Sequence, residues 1–406
     1  MSQFVWLDYS ERERRKMLAV INLLGEHDTR DELGIGSVRD AIADALFPGT
    51  STIMTRARYF FLVPWIYQRL EKKRVNSAAI TGEARRAEIK LINAIEESDD
   101  TRGNIGKQAR ATLKRLPSSI YWQGLGTWGM RSFPGSQAQY HRSADRYYSQ
   151  RARQTERVSE RDLEHNDLVV ENWRGGIVKP PQDFPDVCSL SLRRLEAEYL
   201  ADRLRLSPAC SGSLLPILVA AAKVDDVDFV WQHPVTASLP SRLSGIMANA
   251  QNLSEMMHGA ALLYNLILAE QVRNEDLVES FREDFAVWTD TVARRESVFK
   301  SWKKDDFWIL INSLNRPVAN GTRQFIDRWW DFVQTQKLAA LRDDVSVRRF
   351  IGDREKSLKK DLARIGNPNT KNNWGGDSGS GQMDYRWGIS QRLLGDILDG
   401  LESGDA

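Results

Sequence analysis

A segment rich in arginine and aromatic residues, residues 121–154, carries the strongest chemical signal in this sequence. It reads YWQGLGTWGMRSFPGSQAQYHRSADRYYSQRARQ and contains a single acid, Asp145. Arginine binds phosphate through paired N–H donors, and flat aromatic rings offer surfaces on which unpaired bases stack. The segment therefore predicts a nucleic-acid-binding surface. Two other interpretations stay open, namely a structural core with charged edges and a protein interface.

The candidate nucleic-acid contacts come from two parts of the chain. Those within residues 121–154 are Arg131, Tyr140, His141, Arg142, Arg146, Tyr147, Arg151 and Arg153. Arg56 and Arg58 join them from a region where two predicted helices flank a Pro48-Gly49 turn. Such a pair is typical of a helix-turn-helix, whose second helix presents side chains to a DNA groove. The side chains in question are Thr52, Thr55, Arg56 and Tyr59. A plain antiparallel helix pair is the alternative.

Catalytic motifs are weak, and no catalytic residue is assigned. The stretch GDSGSG around Ser378 is similar to the nucleophile loop of β-barrel serine proteases, but the helical pattern of this chain argues against that chemistry. Acid clusters suit a divalent metal in a nuclease, although helix starts also attract acids, and we favour the second interpretation. The clusters are Asp225/Asp226/Asp228, Asp305/Asp306 and Asp343/Asp344. We interpret His258, which lies in an apolar helix, as a core histidine in preference to a catalytic base. We expect no cofactor and no metal.

Charge and cysteine content indicate the compartment and the kind of partner. The 406 residues carry a net charge of +2, yet residues 102–157 hold eleven Lys/Arg against two acids, a local +9. Such an excess attracts polyanions. Cys188 and Cys210 have no metal or disulfide spacing, which is typical of a reducing compartment. The N-terminus lacks the apolar core of a signal peptide, and no apolar run approaches the roughly 20 residues of a membrane span. We expect a cytoplasmic protein with no membrane partner.

Hydrophobic periodicity predicts a mainly α-helical fold with few short strands. The predicted helices cover residues 8–24, 36–49, 50–74, 82–98, 103–116, 191–206, 247–272, 275–298, 302–314, 322–340 and 345–364, with a last one after the Gly-rich loop at 366–382. The strand candidates are VWQHPVTA and DLVVENW. Residues 1–120 are expected to form an N-terminal helical domain, and residues 121–187 a basic aromatic segment with a Pro/Gly linker. Residues 188–406 would form a larger helical C-terminal domain.

Several stretches together resemble a known family. They include TRDELGIGSVRDAIADALFPGTSTIMTRARYFFLVPWIY, IYWQGLGTWGMR, HGAALLYNLILAE and MDYRWGISQRLLGDI, and the resemblance extends over essentially the whole chain. The family consists of uncharacterised bacterial proteins of about 400 residues. Met383 stands where that family usually has leucine. The resemblance implies an association with antiphage defence islands, near helicases and phospholipase-D-like nucleases, and it assigns no catalytic residues.

Three functional hypotheses follow. The first is a non-enzymatic nucleic-acid-binding or scaffolding subunit of a bacterial antiphage defence complex. Its partners would be DNA and a helicase or nuclease subunit. The second is a metal-dependent nuclease or effector whose carboxylates come from distant parts of the chain. The third is a pure protein–protein adaptor. Whether the chain is an enzyme stays open, and the weak catalytic motifs favour a non-enzymatic role.

Overall fold

The computed structural model describes residues 31–160, 171–314, 316–335 and 337–403, and within these ranges the chain is mainly α-helical. The β structure found there is one isolated antiparallel bridge between Arg131 and Trp173. The predicted fold class is confirmed. The predicted helix at 8–24 and most of the strand candidate DLVVENW lie outside the described residues.

The α-helices fall close to most of the predicted positions. In chain order they are α1 (Gly36–Leu46), α2 (Tyr59–Lys72), α3 (Ile80–Glu96), α4 (Pro117–Thr127), α5 (Gln137–Glu160), α6 (Arg194–Leu206), α7 (Leu215–Ala220), α8 (Ser241–Val272), α9 (Glu275–Arg294), α10 (Glu296–Ser301), α11 (Lys304–Ser313), α12 (Asn320–Thr335), α13 (Leu338–Leu341), α14 (Val345–Lys359) and α15 (Trp387–Glu402). Within the described ranges, none of them combines the length and apolarity that crossing a bilayer requires.

The described residues divide into two compact units. Residues 31–39 and 251–383 form one unit, and residues 40–250 and 384–403 form the other. All candidate nucleic-acid contacts belong to the unit of residues 40–250 and 384–403. The expected division at 120 and 187 stays a prediction.

In that unit, residues 59–67 of α2 form a core segment, because all nine are apolar or aromatic and buried, whereas the last turn of the helix is polar. Phe60 on α2 stacks on Trp128 with 3.9 Å between ring centroids, and Tyr121 meets the Phe60 ring edge-on. The Trp128 Nε1 donates to the Pro48 carbonyl at 3.0 Å. The first aromatic residues of the basic segment are therefore core residues.

The predicted start of α2 was wrong, since the helix begins at Tyr59 and not near residue 50. Groups from distant parts of the chain hold the preceding backbone. The Tyr121 hydroxyl accepts hydrogen bonds from the Thr55 and Arg56 N–H groups at 3.0 and 3.1 Å, and Asp396 accepts one from Ala57 at 2.7 Å. Tyr59 is fully buried, so the helix-turn-helix interpretation finds no exposed recognition face at this residue.

Two other predicted elements are absent from the described structure. Residues 103–116 were predicted to form a helix but contain only the short 3-10 turn Arg110–Thr112. Gly106 adopts a φ of +87°, a left-handed conformation that ends regular helix. The strand candidate VWQHPVTA instead forms two 3-10 turns, Val230–Gln232 and Pro234–Ser238.

The unit of residues 31–39 and 251–383 is built around the apolar part of α8, which is buried. The Trp288 and Trp329 indoles donate to the carbonyls of Glu255 and Met256, both at 2.8 Å. Gly259 leaves room for the Trp288 ring, because a Cβ at this position would lie 2.3 Å from an indole carbon.

Candidate nucleic-acid interface

The two upstream arginines are occupied inside the protein. The Arg56 Nε donates to Asp396 at 2.8 Å, and its Nη1 donates to Asp100 at 2.6 Å. Arg58 is only 5% exposed, and its Nη2 donates to the fully buried Glu196 at 3.0 Å. Both guanidinium groups serve as internal ion pairs and offer little to an external ligand.

Arg131 is likewise buried, and backbone carbonyls receive its N–H groups. Its Nε donates to the Trp122 carbonyl at 3.2 Å, and its Nη1 donates to the carbonyls of Phe133 and Gly135. The guanidinium lies 4.8 Å from the centre of the Trp122 ring. Burial lowers the pKa of Arg131. This arginine therefore fixes the loop between α4 and α5.

The aromatic candidates on α5 face inward. Tyr140, His141 and Tyr147 are 2%, 9% and 7% exposed. His141 lies between the Tyr67 hydroxyl and the Thr81 hydroxyl, each 3.0 Å from a ring nitrogen, and burial lowers the pKa of His141. None of these rings is available for stacking with a base in this structure.

A buried hydrogen-bonded chain continues from His141 and joins α2, α3, α4 and α5. The Gln137 Nε2 donates to the hydroxyls of Tyr67 and Ser118, at 2.6 and 2.8 Å. Ser118 donates both its N–H and its hydroxyl to the Glu88 carboxyl, each at 2.7 Å. Glu88 is fully buried, and burial raises its pKa to about 7. This chain sets the position and rotation of α5.

The outward face of α5 carries a stripe of three exposed arginines, Arg142, Arg146 and Arg153, referred to below as the arginine stripe. At about 100° per residue, Arg146 and Arg153 lie within about 40° of Arg142 around the helix axis. None of the three forms an ion pair with any residue that the structure describes. The exposed acid nearest in sequence, Asp145, accepts hydrogen bonds from Ser77. Of the predicted contacts, these three are the ones that present to solvent cations with no ion-pair partner among the described residues.

Arg151 lies about 180° from Arg142 around α5, since nine residues separate them. It lines a cavity of about 660 Å³ between α2, α5 and residues 171–177. Its Nη1 donates to the Tyr147 hydroxyl at 3.1 Å, and its Nη2 is 4.0 Å from Glu171. The arginine stripe and Arg151 therefore belong to different surfaces.

The cavity contains Glu71, a residue that the sequence patterns did not single out. Its Oε1 accepts three hydrogen bonds, from the Tyr140 hydroxyl, from Asn172 at 2.9 Å and from the Trp173 indole at 3.1 Å. Burial raises the pKa of Glu71, and these hydrogen bonds together with the charge of Arg151 partly offset the rise. The basic residues at the end of α2 are visible in the sequence. The burial of Glu71 among them is not, because Asn172 and Trp173, which contact it, lie about a hundred positions away.

Two members of the acid clusters, Asp344 and Asp225, make structural contacts. Asp344 caps α14 by accepting from the Ser346 and Val347 N–H groups, and Asp225 lies 2.5 Å from the Lys223 ammonium. In the part of the chain that the structure describes, no three His, Cys, Asp or Glu side chains converge as metal ligands. The Ser378 hydroxyl accepts from Arg364 at 2.9 Å. Among the described residues, carboxylates are therefore not assembled into the metal site that the nuclease hypothesis requires.

Comparison with known proteins identifies a family and no individual relative. A family model described as a family of unknown function, DUF6361, matches residues 1–401. No curated protein and no solved structure matches the chain significantly.

Proposed function

The chain belongs to DUF6361, a family of unknown function, and we propose that it is a non-enzymatic nucleic-acid-binding subunit that contacts phosphates through the arginine stripe of α5. One observation carries this proposal. Three neighbouring arginines are exposed on one helix face, and no described carboxylate neutralises them. When such cations neutralise the phosphates of a nucleic acid, the counterions condensed on the nucleic acid are released, and this release favours binding.

The dimensions of the arginine stripe suit a nucleic-acid backbone. Arg142 and Arg153 are eleven residues apart, which corresponds to about 16 Å along the helix. At about 3.4 Å per nucleotide step, this length spans roughly five steps of one duplex strand. The hydrogen-bonded chain from Glu88 to His141 holds the helix in one rotation, so the three guanidinium groups face the same direction.

Burial of the aromatic residues changes the expected mode of binding. Tyr140, Tyr147, Trp122 and Trp128 are all at most 7% exposed, so they offer no stacking platform for unpaired bases. Binding through phosphates alone positions a protein without reading sequence. We therefore propose contact with the backbone of duplex DNA, with little dependence on base sequence.

The resemblance to proteins of antiphage defence islands extends the proposal to a biological role. In that role the chain would hold DNA, or serve as a scaffold, for a helicase or nuclease encoded beside it. Co-expression with neighbouring helicase and nuclease genes tests this part, because a stable complex is expected on purification. A complex that forms with no affinity for DNA would instead favour the adaptor hypothesis.

A binding titration tests the DNA contact. Arg142, Arg146 and Arg153 are replaced together by glutamine, which keeps helix propensity while removing the charges. Three exposed contacts of up to about 1 kcal/mol each correspond to a loss of affinity of about 10- to 100-fold. The measurement is fluorescence anisotropy with a labelled 25-base-pair duplex at constant salt.

A matched control removes the same charge elsewhere in the same unit. Arg86, Arg194 and Arg205 are 68%, 47% and 51% exposed, and each pairs with an acid of its own helix. The triple glutamine variant of these residues should bind DNA within about twofold of the unmodified protein, since its arginines are already neutralised locally. Equal losses in both triple variants would show that net charge, and not the arginine stripe, governs binding.

A further inference from the structure

The cavity beside α5 has the size of a site for a small organic ligand. Its volume of about 660 Å³ lies within the range of roughly 300 to 1,000 Å³ that is usual for ligand pockets. Its wall contains the half-buried Tyr148 and the buried Trp173 together with several charged groups. It lies on the side of α5 opposite the arginine stripe, so it is separate from the proposed DNA contact.

Glu71 is bonded asymmetrically in this cavity. The three donors found among the described residues, on Tyr140, Asn172 and Trp173, all point to Oε1. No residue that the structure describes donates to Oε2. The carboxyl group is thereby fixed in orientation while one oxygen keeps its full capacity to accept. A fixed acceptor of this kind recognises an N–H group of a ligand.

The rim of the cavity is cationic. Lys72, Arg74 and Arg174 line it, all three are exposed, and none forms an ion pair with a described residue. Next to them, Gly175 and Gly176 have no atom within 4 Å of the place where a Cβ would stand. A bound group can therefore approach the backbone here. Unpaired cations beside open backbone suit a phosphate.

We propose that this cavity binds a nucleoside monophosphate, whose phosphate is held by Lys72, Arg74 and Arg174 and whose base donates an N–H to Oε2 of Glu71. The two recognition elements match the two ends of such a molecule. Exocyclic amino and ring N–H groups of bases pair with carboxylates, as they do when proteins read base edges. Phosphate pairs with lysine and arginine. A cationic rim alone would accept many anions, and an N–H acceptor alone would accept many donors. The two together favour a nucleoside monophosphate.

Calorimetric titration with AMP, GMP, CMP and UMP tests the proposal, with inorganic phosphate and ribose 5-phosphate as probes for the anion contact alone. At least one nucleotide should bind tenfold or more tightly than ribose 5-phosphate. Equal affinity for ribose 5-phosphate, or no binding of any nucleotide at millimolar concentration, would overturn the proposal.

Two matched substitutions separate base recognition from simple charge attraction. Glu71→Gln keeps an oxygen for the three internal donors but replaces Oε2 with an NH₂ group, and nucleotide affinity should fall at least tenfold. Glu171→Gln removes a rim carboxylate and should tighten binding slightly. If attraction of an anion were the whole effect, both substitutions would tighten binding, and this result contradicts the proposal.

A second variant covers the case in which Glu71→Gln does not fold. Arg174→Gln changes an exposed residue and should weaken nucleotide binding about tenfold, whereas unchanged affinity would refute the phosphate contact. The Arg142/Arg146/Arg153 variant should bind nucleotides normally. Failure of the nucleotide site and failure of the DNA contact are thus told apart.

Discussion

The buried Glu88 makes folding stability depend on pH in a direction opposite to that of an ordinary ion-paired acid. Its pKa is about 7 in the folded protein, against 4.5 for an ordinary glutamate, because burial disfavours the charged form. The folded state therefore binds more protons than the unfolded state between these two values. The contribution of Glu88 is fully present below pH 4.5 and is lost as pH rises through about 7.

The magnitude follows from the two pKa values. Their difference of about 2.5 corresponds to about 3 kcal/mol, of which about 2 to 3 kcal/mol falls between pH 5 and pH 8. The substitution Glu88→Gln mimics the protonated carboxyl. Either group accepts from the Ser118 N–H and donates to the Ser118 hydroxyl, which donates to the charged carboxylate but accepts from the neutral group. The variant should therefore gain stability relative to the unmodified protein by this amount as pH rises.

Urea unfolding followed by tryptophan fluorescence at pH 5, 6.5 and 8 measures the difference between the two proteins. Comparing the two at each pH removes the opposing contribution of His141, whose lowered pKa is common to both. Glu83→Gln, on the same helix but with a side chain that is 42% exposed, is the control and should show no such gain. A difference between the unmodified protein and Glu88→Gln that stays constant from pH 5 to pH 8 would refute the assignment of a raised pKa.

Two substitutions test packing and charge burial elsewhere. Gly259→Ala places a Cβ 2.3 Å from an indole carbon and should destabilise the protein by about 1 to 3 kcal/mol, despite the better helix propensity of alanine. A Cβ at Gly245 on the same helix would meet no atom within 4 Å, so Gly245→Ala should stabilise the protein by about 1 kcal/mol. Similar urea midpoints for the two variants would contradict the close packing of Trp288 on Gly259. Arg58→Met leaves the fully buried Glu196 with one fewer cation and should cost about 3 kcal/mol, whereas the exposed Arg86→Met should be nearly neutral in the same unfolding assay.

Helices with a strong hydrophobic pattern were predictable from the sequence, because their burial follows from their own residues. The apolar run of α2 and the long apolar stretch of α8 are examples. The start of α2 was not predictable, since the Tyr121 hydroxyl and the Asp396 carboxylate hold the preceding backbone from distant positions. Local propensity contains no information about such partners.

The arginine-rich segment, residues 121–154, was likewise predictable from the sequence only in part. Composition identified it, but composition does not separate residues that bind a ligand from residues that build a core. Tyr140, Ala144 and Tyr147 follow the spacing of a buried helix face, and this spacing already separates them from the arginine stripe. Glu71 offers no comparable signal, because Asn172 and Trp173 approach it only in the fold.

The salt dependence of DNA binding tests the central claim most directly. Each phosphate neutralised on duplex DNA contributes about 0.9 to the slope of log K against log salt concentration. Replacing Arg142, Arg146 and Arg153 with glutamine should therefore make the slope shallower by about 3, while the Arg86/Arg194/Arg205 variant keeps it. An identical slope for the unmodified protein and the arginine-stripe variant would contradict the proposal that α5 binds DNA.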